Sequence, residues 1–132
     1  MNEVIRKVGL EEFISSRKEN IQSNVGEDGN QVSGGEKQRI AIARALARGH
    51  DIIFLDEATS NLDNNTALKI EQILLKSNKT IISATHRLLK EALVQYDMIV
   101  VMNEGKIIET GSFEELIGKQ GLFYSLYYLD NI

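Results

Sequence analysis

The sequence predicts an α/β fold, with a mostly parallel sheet flanked by helices and a C-terminal β-hairpin. Three observations predict it. Short apolar runs rich in β-branched residues alternate with segments of helical periodicity. Several helical segments are preceded by a capping residue. Two extended runs near the C-terminus flank Asn103-Glu104-Gly105, a turn-forming link.

Taken in order, Val4 and Val8, then Leu10, Phe13 and Ile14, fall at helical spacing and predict short helices at the start of the chain. From Ser23 to Gly35 the composition shifts to Asn, Gly, Asp, Gln and Ser, which compete with regular hydrogen bonding and mark a loop. Ser33-x-x-Glu36 spells a capping box, so a helix is expected to begin at Gly34 or Gly35. Its body from Ile40 to Ala47 is rich in good helix formers, and Gly49 stands where a left-handed stop is wanted. Asp51 to Leu55 reads as a strand covered on both faces. Asp63 caps a helix through about Ser77, with Ala67, Ile70 and Leu74 on one face. Thr80 to Ala84 is a second strand of the buried type, and a short helical piece follows from Leu88 to about Val94. Met98 to Met102 and Lys106 to Thr110 form the hairpin. Ser112 then caps Phe113 to about Ile117, and a last helix starts near Gly121.

With 132 residues, 42% hydrophobic and 26% charged, the chain can bury a core but has room for one compact unit. Lys plus Arg number 15 against 19 Asp plus Glu, a net charge of −4, so no basic footprint points to nucleic acid. The absence of cysteine excludes a disulfide framework and a thiolate metal site, and suggests a reducing compartment. No apolar run approaches the roughly 18 residues of a membrane helix. Nor does Met1 to Arg6 carry the basic head and apolar run of a secretory signal. There is no internal repeat, low-complexity tract or proline.

Three places in the chain can carry chemistry. Asp56-Glu57 emerges from a strand at the carboxyl edge of a parallel sheet, where such sheets bind ligands. An Asp there can hold a hydrated Mg²⁺, and the adjacent Glu can accept a proton from an attacking water. Ser33-Gly34-Gly35 offers a hydroxyl and unencumbered amides at a helix N-terminus, which favours a phosphate. His86 follows the second strand, so its ring is expected at the same edge, able to donate to a phosphate oxygen. Each feature alone also serves as an ordinary cap or loop.

Together they resemble something more specific. Val32-Ser33-Gly34-Gly35-Glu36-Lys37-Gln38-Arg39, Ile52 to Glu57, Ser60-Asn61-Leu62-Asp63 and His86 resemble the signature motif, Walker B motif, D-loop and switch histidine of an ABC transporter nucleotide-binding domain, in the family's order. Val25-Gly26-Glu27-Asp28-Gly29 and Thr85-His86-Arg87-Leu88 resemble exporter-type cassettes. The sequence departs at Val32, Glu36 and Asn61, where Leu, Gln and Ala are commoner. Glu36 adds a carboxylate at the helix start, which works against a neighbouring phosphate.

The resemblance implies the C-terminal part of one such domain, a partial P-loop NTPase fold. Residues 1–50 would be a helical subdomain with the signature helix, and 51–132 the core from Walker B to the C-terminus. It implies ATP and Mg²⁺ as cofactors. Asp56 would hold the metal through water, Glu57 would deprotonate the attacking water, and His86 would steady the γ-phosphate. Ser33, Gly34, Gly35 and Glu36 would lie at the phosphate of the opposite site, and Ser60 to Asp63 would tie the two sites together. The implied partners are a second nucleotide-binding domain, docked head to tail, and an ABC transmembrane domain at the cytoplasmic face of the membrane.

The phosphate cradle G-x-x-x-x-G-K-[ST] does not occur, since the nearest approach, Gly29 to Gly34, continues as Gly35-Glu36. The chain alone is therefore expected to be inactive. By the resemblance, the strand slot between Thr80–Ala84 and Met98–Met102 is expected to be empty, which predicts low stability or self-association. Two other readings differ in class. A chromosome-maintenance or DNA-repair ATPase lobe needs a coiled coil leading into the signature, and residues 1–24 show none. An inactive, truncated interaction module would merely dock on other subunits.

Overall fold

The computed structural model describes residues 2–17, 19–22 and 32–130. The segment Val25 to Gly29 lies outside these residues. Where the length suggests one compact unit, the chain gathers into two, residues 1–84 and 85–132, each with its own two-stranded sheet.

In the first unit, α1 (Asn2–Lys7) and α2 (Glu11–Ser15) flank Gly9, whose φ of 68° allows the tight reversal that buries Val8 and Leu10 on either side. A 3₁₀ turn (Asn20–Gln22) follows. Helix α3 (Gly34–Ala47) begins where its capping box predicts, and Gly49 adopts φ 75° beyond its end. Strand β1 (Ile52–Asp56) pairs in parallel with β2 (Thr80–Ala84), placing Ile53 opposite Ile81 and Asp56 opposite Ala84. Helix α4 (Asn64–Leu75) connects them and buries Ala67, Ile70 and Leu74, the face its spacing predicts.

The expectation that both faces of these strands are packed does not hold. Successive side chains of a strand point to opposite faces. Ile53 and Leu55 are buried, whereas Ile52 is 53% and Phe54 74% exposed, and Ile82 on β2 is 49% exposed. Only one face of the pair is covered by its own unit. An unbroken apolar run records that both faces are apolar, not what covers each.

In the second unit, α5 (Lys90–Leu93) is shorter than Leu88 to Val94, because Leu89 at its N-cap offers no side-chain hydrogen bond. Strands β3 (Ile99–Asn103) and β4 (Lys106–Gly111) form the antiparallel hairpin across Glu104 and Gly105, both at positive φ (49° and 74°), as a tight two-residue turn requires. A bulge at Ile108 shifts the register, with Val101 opposite Glu109 but Met102 opposite Ile107. Helix α6 (Phe113–Lys119) starts at a second capping box, formed by Ser112 and Glu115, and α7 (Leu122–Asp130) follows. The core of this unit is Leu93, Val101, Phe113, Leu116 and Phe123. The Phe113 ring meets Phe123 edge-on with centroids 6.0 Å apart. No helix among the described residues is long and apolar enough to cross a membrane.

Candidate functional site

The site grows from the end of β1. Asp56, expected just past the strand, is its last residue and is exposed, so its carboxylate stands at the carboxyl edge of the parallel pair. Glu57 then turns the chain with φ 49°, a left-handed conformation that costs a non-glycine residue about 1–3 kcal/mol and persists only when its surroundings enforce it. They do so from several sides. The Glu57 amide donates to the Ala84 carbonyl at the end of β2 (3.0 Å), and its carbonyl accepts from the Ser60 amide (3.1 Å). Gln38, on α3, donates through Nε2 to the Glu57 carbonyl (3.1 Å) and to the Ser60 hydroxyl (2.9 Å), while its Oε1 accepts from the Asn61 amide (3.0 Å).

The start of α3 faces the same turn. Ser33 Oγ accepts from the Glu36 amide (3.2 Å), and Glu36 Oε2 accepts from the Ser33 amide (2.8 Å). The cap uses the Ser33 oxygen only as an acceptor, and its O–H can still donate to an anion. The Glu36 carboxylate is thereby held against the helix start, so its charge bears directly on whatever binds there. Gly34 and Gly35 lie between the two capped residues. A Cβ on Gly35 would stand 3.1 Å from Leu62 Cδ2 and 3.3 Å from the Asn61 carbonyl, and one on Gly34 would stand 3.6 Å from the Asn61 side chain. Close packing therefore favours glycine at 35, whereas a Cβ at 34 would make only ordinary van der Waals contact.

Ser33, Gly34 and Gly35 line one groove with Arg39, Asn61 and Asp63. Asp63 caps α4 by accepting from the Thr66 amide (3.0 Å). Hydrogen bonds from the Thr66 hydroxyl and amide hold its carboxyl below the ordinary aspartate range. Of the predicted site residues, the structure thus brings Ser33, Gly34, Gly35 and Asp63 to one groove, and Asp56, Glu57 and Ser60 to the turn that Gln38 ties to α3. His86 belongs to the second unit. It is exposed, two residues beyond Ala84 in the chain, inside a short turn in which the Arg87 amide donates to Thr85 Oγ1 (3.0 Å).

Gln38, which ties α3 to the turn, and Arg39, which lines the groove, are not singled out by spacing alone. Gln38 lies within the quoted signature stretch, but its partners are 19 to 23 residues away, beyond any local pattern. Among the described residues no three His, Cys, Asp or Glu side chains form a metal cage. The exposed Asp56 carboxylate at the strand end is of the type that binds Mg²⁺, which commonly takes one or two carboxylates together with substrate phosphates. A glycine-fronted helix and an acidic carboxyl edge on a parallel strand pair are the local features that the resemblance to an ABC cassette implies.

Comparison with known proteins agrees. The family model for "ABC transporter" matches residues 1–60. The β-(1→2)glucan export ATP-binding/permease protein NdvA of Bartonella bacilliformis is 40% identical over 126 residues, which are 94% of this chain and 21% of that protein. The ATP-dependent lipid A-core flippase of Haemophilus ducreyi is 43% identical over 118 residues, 88% of this chain and 20% of its own length. A bacterial Atm1-family ABC exporter, solved with ATP bound, superimposes with a TM-score of 0.88 at 33% identity over 98% of this chain and 23% of its own. The chain belongs to the ABC transporter ATP-binding family and is a segment of its nucleotide-binding domain. It spans about a fifth of the length of these curated bacterial relatives.

Proposed function

We propose that this segment is the C-terminal part of one nucleotide-binding domain of an ATP-driven exporter, with 1–50 as helical subdomain and signature helix and 51–132 as core. The observation that carries the reading is the Asp56-Glu57 edge, held at the end of a parallel strand pair and tied to the helix that Ser33 caps. Phosphoryl transfer is catalysed mainly by positioning and electrostatics, and this arrangement provides both. Asp56 would hold Mg²⁺, and the ion would supply neutralisation of charge on the phosphates. Glu57 accepts the proton of the attacking water, and His86 donates to the γ-phosphate.

Ser33, Gly34 and Gly35 face the phosphate of a second, opposed site. Glu36 sits in the same first turn, and Ser60 and Asp63 lie where the two sites meet. The partners are accordingly a second nucleotide-binding domain, docked head to tail, and the transmembrane domain of the same transporter, with this segment at the cytoplasmic face of the membrane. Because the sequence contains no G-x-x-x-x-G-K-[ST], the isolated segment is inactive and needs the rest of its domain.

The test is ATP hydrolysis by the complete transporter with Glu57→Gln. Turnover falls by ~10² or more if Glu57 is the general base. Unchanged turnover removes it from that role.

A further inference from the structure

The side chain of Gln38 makes three hydrogen bonds, all to the turn that follows β1. Its Nε2 donates to the Glu57 carbonyl at 3.1 Å and the Ser60 hydroxyl at 2.9 Å, and its Oε1 accepts from the Asn61 amide at 3.0 Å. A glutamine amide has two N–H donors and one carbonyl acceptor, so both N–H groups and the oxygen are engaged. The pattern fixes which way round the amide lies. Reversed, it would set oxygen against the Glu57 carbonyl and nitrogen against the Asn61 N–H. Gln38 also stands on α3, five residues after Ser33, within the first two turns behind the glycines.

We infer that Gln38 is a positioning residue that keeps the Glu57 backbone in its left-handed conformation and joins the Ser33 helix start to the carboxylate turn as one rigid piece. Glu57 at φ 49° is secured through its amide by Ala84 and through its carbonyl by Gln38 and Ser60. The direction of its carboxylate follows from that backbone. Without Gln38, the turn loses the clasp that reaches it from α3, and three groups on it lose a partner at once. The inference rests on the proposed role of Glu57. Under that reading Ser33 and Glu57 serve two different ATP molecules, so Gln38 is also a direct mechanical link between the two sites inside one chain. No other amino acid matches its reach together with its donor and acceptor pattern. Glutamate would turn an acceptor toward the Glu57 carbonyl, and leucine would supply neither donor nor acceptor.

The experiment measures kcat, KM and equilibrium ATP affinity in the complete transporter for the wild type, Gln38→Leu, Gln38→Glu, Ser60→Ala, the Gln38→Leu/Ser60→Ala pair and Glu57→Gln. Gln38→Leu is expected to lower kcat by about 10- to 100-fold, the scale of a small misplacement of a reacting group, with ATP affinity within about threefold of wild type. Gln38→Glu is expected to lose at least as much. Ser60→Ala is expected to lose less, and the double variant no more than Gln38→Leu alone, because both substitutions act on one network. Turnover within twofold of wild type in Gln38→Leu, alongside its loss in Glu57→Gln, overturns the Gln38 assignment and leaves the Glu57 reading standing. A loss confined to affinity, or one that multiplies across the double variant, also overturns it. Full turnover in Glu57→Gln overturns the reading on which it rests. If Gln38→Leu does not fold, Gln38→Glu and Ser60→Ala decide the matter on the same criteria.

Discussion

The Thr59 hydroxyl donates to the Glu71 carboxylate at 3.1 Å, and both side chains are buried, 6% and 7% exposed. This bond joins the turn after Glu57 to the inner face of α4, opposite in the chain to the clasp that Gln38 makes from α3. Replacing Glu71 by leucine leaves a buried hydroxyl without its acceptor, which costs about 1–3 kcal/mol. Glu71→Gln keeps an acceptor for Thr59 and is expected to cost less than about 1 kcal/mol. Denaturant unfolding of the two variants separates these outcomes. Equal losses would show that Glu71 acts through its charge rather than through Thr59.

The capping box at Ser33 makes a second prediction. Glu36 accepts from the Ser33 amide, and glutamine can do the same without the negative charge. Glu36→Gln therefore preserves the start of α3 while removing a like charge from a helix end proposed to face phosphate. At an exposed helix terminus the electrostatic change is about 0.3–1 kcal/mol, a gain of about two- to fivefold in nucleotide affinity at low salt. The gain should shrink at high ionic strength. Nucleotide titrations of the complete protein at two salt concentrations test it, and an affinity that falls on losing the charge would refute it.

Local chemistry was legible in the sequence, and long-range covering was not. The caps at Ser33, Asp63 and Ser112 each act on a residue three positions ahead, so the spelling alone locates them. The Glu104-Gly105 turn and the buried stripe of Ala67, Ile70 and Leu74 are likewise set within a few residues. By contrast, Ile52 and Phe54 read as core because the run is apolar, yet both are exposed. The candidate site divides the same way. Asp56-Glu57 and Ser33-Gly34-Gly35 announce themselves by position at an element's end, whereas the Gln38 clasp depends on how α3 packs against a turn about twenty residues on. The cap of α7 was missed for the same reason, since its acceptor, Glu109, lies on β4.

Acid should weaken the caps of α4 and α6. Hydrogen bonds from Thr66 hold the Asp63 carboxyl below its ordinary value, and those from the Ser112 amide and hydroxyl do the same for Glu115. A carboxyl depressed in the folded state binds its proton more readily when unfolded. Its contribution is thus complete above the ordinary carboxylate range, and it is lost as pH falls below ~4 through the folded-state value. Asp63→Asn keeps a capping oxygen but does not titrate. Its unfolding midpoint is expected to fall less than that of the wild type between pH 5 and pH 3. Parallel curves for the two proteins would count against a role for Asp63.

The last prediction concerns how the second unit holds its C-terminal helix. Glu109 on β4 accepts from the Leu122 amide (3.0 Å) and the Phe123 amide (2.8 Å), so one carboxylate satisfies two of the unpaired donors at the start of α7. Gly121 makes room for it, because a Cβ there would run into that carboxylate. Gly121→Ala must therefore displace Glu109 and release both amides. It also loosens a helix whose Phe123 and Tyr127 both pack edge-on against Phe113 and stack on each other. Loss of a cap costs about 0.5–2 kcal/mol, so faster hydrogen exchange is expected at the amides of α7. Gly118 provides the control, since nothing lies within 4 Å of its Cβ position on α6. Alanine there should stabilise the helix by up to about 1 kcal/mol. If Gly121→Ala exchanges like the wild type while Gly118→Ala is protected, Glu109 is not what fastens α7.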